Sequence, residues 1–107
     1  MRLMTATELK DFIENGGSPV KIDVREKVEL AYGIMEGVIH MPMQEVPDQL
    51  NSLEKHKSDA IVIICRSGMR SHQVGQFMEQ MGFTDIINLS GGMNAWAKDV
   101  DTSMTVY

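Results

Sequence analysis

The chain has one cysteine in 107 residues, Cys65, so no disulfide can form within it. A fold that needs no covalent staple and keeps its thiol free suits a reducing compartment, and a cytoplasmic location is expected. No run approaches the ~20 apolar residues of a membrane span, and Met1 to Glu8 lacks the apolar core of a secretion signal. Positive charge is also scarce. The formal net charge of −5 argues against a nucleic-acid partner, which calls for a basic face. The three histidines, His40, His56 and His72, are scattered without metal-ligand spacing, so neither zinc nor another cofactor is expected. There is no repeat, charge block or low-complexity segment, and the whole of 1–107 reads as one domain.

What is present alternates between two periodicities. Thr5-Ala6-Thr7-Glu8 has the spacing of a capping box, and Leu9, Phe12 and Ile13 follow at helical spacing until Asn15-Gly16-Gly17 ends the helix. Val20 to Val24 reads as a strand, Glu26 to Tyr32 as a short helix before Gly33, and Val38 to Met41 as a short strand before Pro42. Val46, Leu50 and Leu53 space as one helical face, with Pro47 suited to its first turn. Ala60 to Ile64 has no polar alternation, as expected of a central parallel strand covered on both sides. Val74, Phe77, Met78 and Met81 form the next helical stripe, closed by Gly82; a strand from Asp85 to Leu89 and a helix through Trp96 complete the series. The alternation predicts an α/β fold, a central parallel β-sheet flanked by helices on both faces, with its site at the carboxyl ends of the strands.

Cys65 stands at such an end. It follows Ile61 to Ile64 directly and opens the turn Cys65-Arg66-Ser67-Gly68-Met69-Arg70-Ser71, after which helical spacing begins. If this turn curls around the sulfur, its backbone N–H groups and the positive end of the next helix favour a thiolate, the nucleophilic form of cysteine. Gly68 supplies the backbone freedom that lets the amides converge. Arg66 and Arg70 add fixed positive charge able to fork onto an oxyanion. Cysteine is also a common inert core residue, but the Gly-Arg turn at a strand-to-helix junction favours chemistry. Among the many methionines, most of which read as core filler, Met69 is expected to project from the loop and shape its entrance.

Four segments, in order and across nearly the whole chain, resemble a single rhodanese domain: Lys21 to Glu26, Gly37 to Pro42, Cys65 to Ser71, and Gly82-Phe83 onward through Leu89-Ser90-Gly91-Gly92-Met93-Asn94-Ala95-Trp96. The resemblance implies a thiosulfate-type sulfurtransferase. Cys65 would take up a sulfane sulfur as a persulfide from a small anionic donor or a persulfide-bearing protein, then pass it to cyanide or a protein thiol. The loop residues Arg66, Ser67, Gly68, Met69, Arg70 and Ser71 would bind substrate. Asp23 and Arg25 match the family's strand-end signature, where they brace the fold, with Arg25 kept as a supporting residue of the site. Ser90-Gly91-Gly92 is either a tight start to the last helix or a turn that reaches the loop. Trp96 is expected in the core and His72 on a solvent-facing helix position. The central segment departs from the family's usual Gly-His-Ile-Pro-Gly-Ala, reading Gly33-Ile34-Met35-Glu36-Gly37-Val38.

The loop also bears on two other functions. Four residues separate Cys65 from Arg70, one fewer than in the related cysteine phosphatases, which gives a ring suited to one sulfur atom rather than a tetrahedral phosphate. The loop also holds no acid to protonate a phosphatase leaving group. A non-catalytic binding module of the same fold is the remaining alternative; inactive members commonly lack the cysteine that this chain keeps.

Overall fold

The computed structural model describes all 107 residues. Its elements are β1 (Arg2–Met4), α1 (Ala6–Glu14), β2 (Val20–Asp23), a 3-10 helix (Lys27–Tyr32), β3 (Ile39–His40), a 3-10 turn (Met43–Glu45), α2 (Val46–Gln49) running into a 3-10 helix (Leu50–His56), β4 (Ile61–Ile64), α3 (Met69–Gln80), β5 (Ile86–Leu89) and α4 (Gly92–Asp99). The five strands form one parallel sheet in the order β1-β5-β4-β2-β3.

Strand period 2 divides the core. Ile61 and Ile63 of β4 face one side, with Ile22, Val46, Leu53, Val74 and Met78, and Cys65 continues that row. Val62 and Ile64 face the other side, where Ala6 and Leu9 of α1 meet Met93 and Trp96 of α4. Helices therefore cover both faces, and the unbroken apolar run of β4 is explained by burial on both. No helix is long and apolar enough to cross a membrane.

Local signals account for most boundaries. Thr5 Oγ accepts from the Glu8 amide at 3.1 Å and Glu8 returns a carboxylate oxygen to the Thr5 amide at 2.9 Å, the reciprocal box that starts α1. Gly82, at φ +97°, turns the chain out of α3. Three expectations need correction. The sequence reading contains no β1: three residues are too few to show a period, and this edge strand exists through its pairing with β5, Arg2 opposite Ile87 and Met4 opposite Leu89. Val46, Leu50 and Leu53 are buried as one face, but the backbone carrying them is a single α-turn followed by a 3-10 helix. Met81 falls at the end of α3, past the buried stripe, and is exposed.

Candidate active site

Strand β4 ends at Ile64, and the chain then wraps Cys65 into a loop capped by the first turn of α3. The residue is 1% exposed. The Gly68 amide donates to Cys65 Sγ at 3.0 Å, and the thiol donates to Ser71 Oγ at 3.3 Å. Gly68 can serve because its φ of +105° is open to a residue without Cβ, and it is also the N-cap of α3. Burial pushes the Cys65 thiol up, but the Ser71 hydroxyl together with the amides of Ser71, Gly68 and Ser67 outweighs it and leaves the thiol more acidic than usual. The thiolate form is thus favoured by aimed dipoles, as the turn and its glycine suggest.

The backbone is held from behind by α4. The carbonyls of Cys65 and Arg66 accept the first amides of that helix, Met93 at 2.8 Å and Asn94 at 3.1 Å, which leaves the N–H side of the loop turned toward sulfur. Gly92, at φ +56°, allows this approach: a Cβ there would overlap the carbonyls of both Cys65 and Arg66. The Ser90-Gly91-Gly92 turn therefore reaches the loop as well as starting the helix.

The two loop arginines are occupied from outside. Arg70 makes a bidentate pair with Glu29 at 2.7 and 2.8 Å, and Arg66, exposed, lies 5.0 Å over the Tyr107 ring and donates to the Tyr107 carbonyl. Tyr107 is itself fixed: its ring stacks on Tyr32 at 4.1 Å, its amide donates to Asn94 Oδ1 at 2.8 Å and its hydroxyl donates to Glu29 at 2.8 Å. The C-terminal segment, whose placement the sequence left open, docks beside the cysteine loop. Hydrogen bonds from Arg70, against the opposing effect of burial and with help from the Glu26 amide and Tyr107, hold the Glu29 carboxyl down at about 2. A depressed carboxyl contributes stability that is complete above its ordinary value of 4.5 and is lost as pH falls toward about 2. Glu29→Gln is accordingly expected to flatten the pH dependence of stability across that window in urea titrations. An unchanged slope would show that the pair contributes nothing.

Asp23 and Arg25 lie at the end of β2, both 0% exposed. Arg25 Nε and Nη2 donate to the Asp23 carboxylate at 3.0 and 2.8 Å, and its remaining donors reach Gly33 O at 2.8 Å, Tyr107 Oη at 3.3 Å and Glu29 O at 3.4 Å. Neither side chain bonds the sulfur, so their place is that of a brace beneath the Glu29–Arg70 pair. Met69 projects outward at 77% exposure, Ser67 and His72 are exposed, and Trp96 is buried. His40 Nε2 donates to the Arg25 carbonyl at 2.7 Å and His56 pairs with Asp59, so the histidines do not converge.

The sequence assigns no role to four residues of the site. Glu29, Asn94 and Tyr107 act across long chain separations and carry no local signal. Asn88 carries one, as the single polar residue in the buried run Ile86-Ile87-Asn88-Leu89. Ser71 Oγ donates to Asn88 Oδ1 at 2.5 Å, and Asn88 Nδ2 donates to the Gly68 carbonyl at 3.1 Å.

A parallel α/β sheet presenting one buried, amide-bound thiol at the end of its central strand defines a cysteine-loop domain. The chain belongs to the rhodanese-like domain family, whose sequence model matches residues 5–99. It is 39% identical over 93 residues to a putative sulfurtransferase, YtwF, of Bacillus subtilis, covering 87% of each chain. It is 35% identical over 77 residues to a sulfurtransferase of Allochromatium vinosum, covering 72% of this chain and 70% of that one. The structure superposes on a rhodanese-like domain protein from Staphylococcus aureus with a TM-score of 0.84 at 33% identity, over 100% of this chain and 99% of the other.

Proposed function

We propose that this domain is a sulfurtransferase that carries sulfur as a Cys65 persulfide. The observation that carries the reading is the environment of Sγ: a sole cysteine, 3.0 Å from the Gly68 amide and bonded to Ser71, in a loop without an acid. Such a site stabilises negative charge on sulfur and offers no proton to an oxygen leaving group, which suits sulfur transfer better than phosphate ester hydrolysis. The sulfurtransferase relatives support the same class of activity.

In the first half-reaction the Cys65 thiolate attacks the outer sulfur of thiosulfate. The new Sγ–S bond forms as the donor's S–S bond breaks, and sulfite leaves with the electron pair. In the second, cyanide or a protein thiolate attacks the terminal sulfur, the Sγ–S bond breaks, and the thiolate returns. The two half-reactions balance without an external oxidant or reductant, because the transferred sulfane sulfur is itself the two-electron acceptor. A persulfide-bearing protein replaces thiosulfate without altering the scheme, and a reducing, cytoplasmic setting keeps the lone thiol available. Two-substrate kinetics should therefore give parallel double-reciprocal lines for thiosulfate and cyanide; intersecting lines would remove the persulfide intermediate.

Arg66 and Arg70 are the cations closest in sequence to the sulfur, and they suit the anionic half of thiosulfate and the departing sulfite. Both already hold partners, so their contribution to an incoming anion is reduced. Arg70→Ala is expected to raise the KM for thiosulfate roughly tenfold, with a smaller change for a neutral persulfide donor. Equal losses on the two donors would contradict an anion-binding role.

A further inference from the structure

We infer that Asn88 is a positioning residue for the Cys65 sulfur: its carboxamide fixes the Gly68 peptide on one side and accepts a hydrogen bond from the Ser71 hydroxyl on the other, making Ser71 a two-position hydrogen-bond switch. The inference rests on the sulfur-transfer reading only for the step in which the sulfur changes its charge.

The orientation of the carboxamide is set by what surrounds it. Nδ2 donates to the Gly68 carbonyl at 3.1 Å, so Oδ1 must be the atom facing Ser71, where it accepts at 2.5 Å. A flipped amide would oppose two carbonyl oxygens. Asn88 cannot drift from this position, because β5 pairs on both sides, placing Asn88 opposite Ile63 of β4 and Leu3 of β1. The Nδ2 bond has a direct consequence at sulfur. The Gly68 peptide is tied at its carbonyl by Asn88 while its N–H points at Sγ from 3.0 Å.

Ser71 has one proton and two claimants. With a neutral thiol the chain is satisfied throughout: S–H donates to Ser71 Oγ at 3.3 Å, and Ser71 donates to Asn88. A thiolate has no proton to give and needs one, so the hydroxyl turns to Sγ and Asn88 Oδ1 is left without its donor. Formation of the persulfide moves the charge to the outer sulfur, and the hydroxyl returns to Asn88. The same buried residue therefore favours the thiolate through Gly68 and competes with it through Ser71. The Ser71 bond is buried, with Ser71 at 0% and Asn88 at 4% exposure, so water does not substitute for it, whereas the Gly68 bond is part-buried.

Charges near the thiol come from other elements. Arg66 and Arg70 belong to the loop, Glu29 and Tyr107 hold them, Asp23 and Arg25 end β2, and His72 lies exposed on α3; none of these side chains hydrogen-bonds Ser71 or Asn88. β5 contributes no charge of its own. Ionisation of Cys65 is thus open to a test at Asn88 that leaves the arginine network alone.

The test is the pH dependence of iodoacetamide alkylation, followed by intact mass, in the parent chain, Ser71→Ala, Asn88→Asp and the double variant. Ser71→Ala is expected to raise the midpoint, because the thiolate loses its hydroxyl donor. Asn88→Asp is expected to raise it by roughly one pH unit or more, since a carboxylate holds the Ser71 proton and repels the Gly68 carbonyl. The same substitution made in the Ser71→Ala background should shift the midpoint less. Equal shifts in the two backgrounds, or a parent-like midpoint in folded Asn88→Asp, would overturn the inference. If Asn88→Asp does not fold, an unchanged midpoint in Ser71→Ala overturns it alone. A parent chain that takes up no sulfur removes the transferase reading and leaves these midpoints untouched, so the two failures are distinguishable.

Discussion

Cys65→Ser is expected to lower sulfur transfer from thiosulfate to cyanide by roughly a thousandfold or more. The substitution is close to isosteric, and a hydroxyl can still donate to Ser71 and accept from Gly68, so the melting temperature should stay near the parent's. What is lost is the nucleophile. A serine hydroxyl ionises far above neutral pH and forms no persulfide, whereas the thiol at this position is made more acidic than usual by one hydroxyl and the loop amides. No other cysteine exists in the chain to take over. Measured as thiocyanate produced, activity surviving in a folded Cys65→Ser protein would remove Cys65 from the mechanism. It would also revive the reading in which the fold serves only to bind partners.

The largest effect on stability is expected at Asp23. Asp23→Ala leaves the Arg25 guanidinium, fully buried, without the carboxylate that takes its bonds at 3.0 and 2.8 Å. Stranding a buried charge costs about 3–5 kcal/mol, a large part of the 5–15 kcal/mol that holds a typical domain together. For a chain of this size each kcal/mol moves the melting temperature by about 4–8 °C, so a fall of at least about 12 °C is expected in thermal unfolding. Exposed pairs behave otherwise: losing Asp85 from its bridge to Arg2 should cost under about 1 kcal/mol. The double variant Asp23→Leu, Arg25→Met should recover most of the loss, because it removes both charges together. A loss below about 1 kcal/mol in Asp23→Ala would mean that Gly33, Glu29 and Tyr107 satisfy Arg25 by themselves.

That buried pair also shows which parts of the molecule were legible in its sequence. The strand-end position of Asp23 and Arg25, the capping box at Thr5 and Glu8, the apolar run of β4 and the turn through Gly68 are each encoded within a few residues. Local rules therefore reached the parallel sheet, the two helical layers and the placement of Cys65. Pairings across the chain were not legible. Glu29 meets Arg70 across 41 residues, and Tyr107 meets Glu29 across 78. Three residues at β1 gain their conformation from β5 and show no period of their own. The consequence for the site is specific. Sequence alone offers Arg66 and Arg70 as free cations beside the sulfur, whereas the fold gives each of them a partner and leaves the charge on sulfur to amides and to Ser71.

The central claim is that Cys65 holds transferable sulfur, and intact mass spectrometry of the reduced protein tests it most directly. Incubation with thiosulfate should add the mass of one sulfur atom, cyanide should then remove it with an equal amount of thiocyanate appearing, and Cys65→Ser should show no addition. A reduced, folded parent chain that gains no sulfur from thiosulfate or from a persulfide donor would contradict the account.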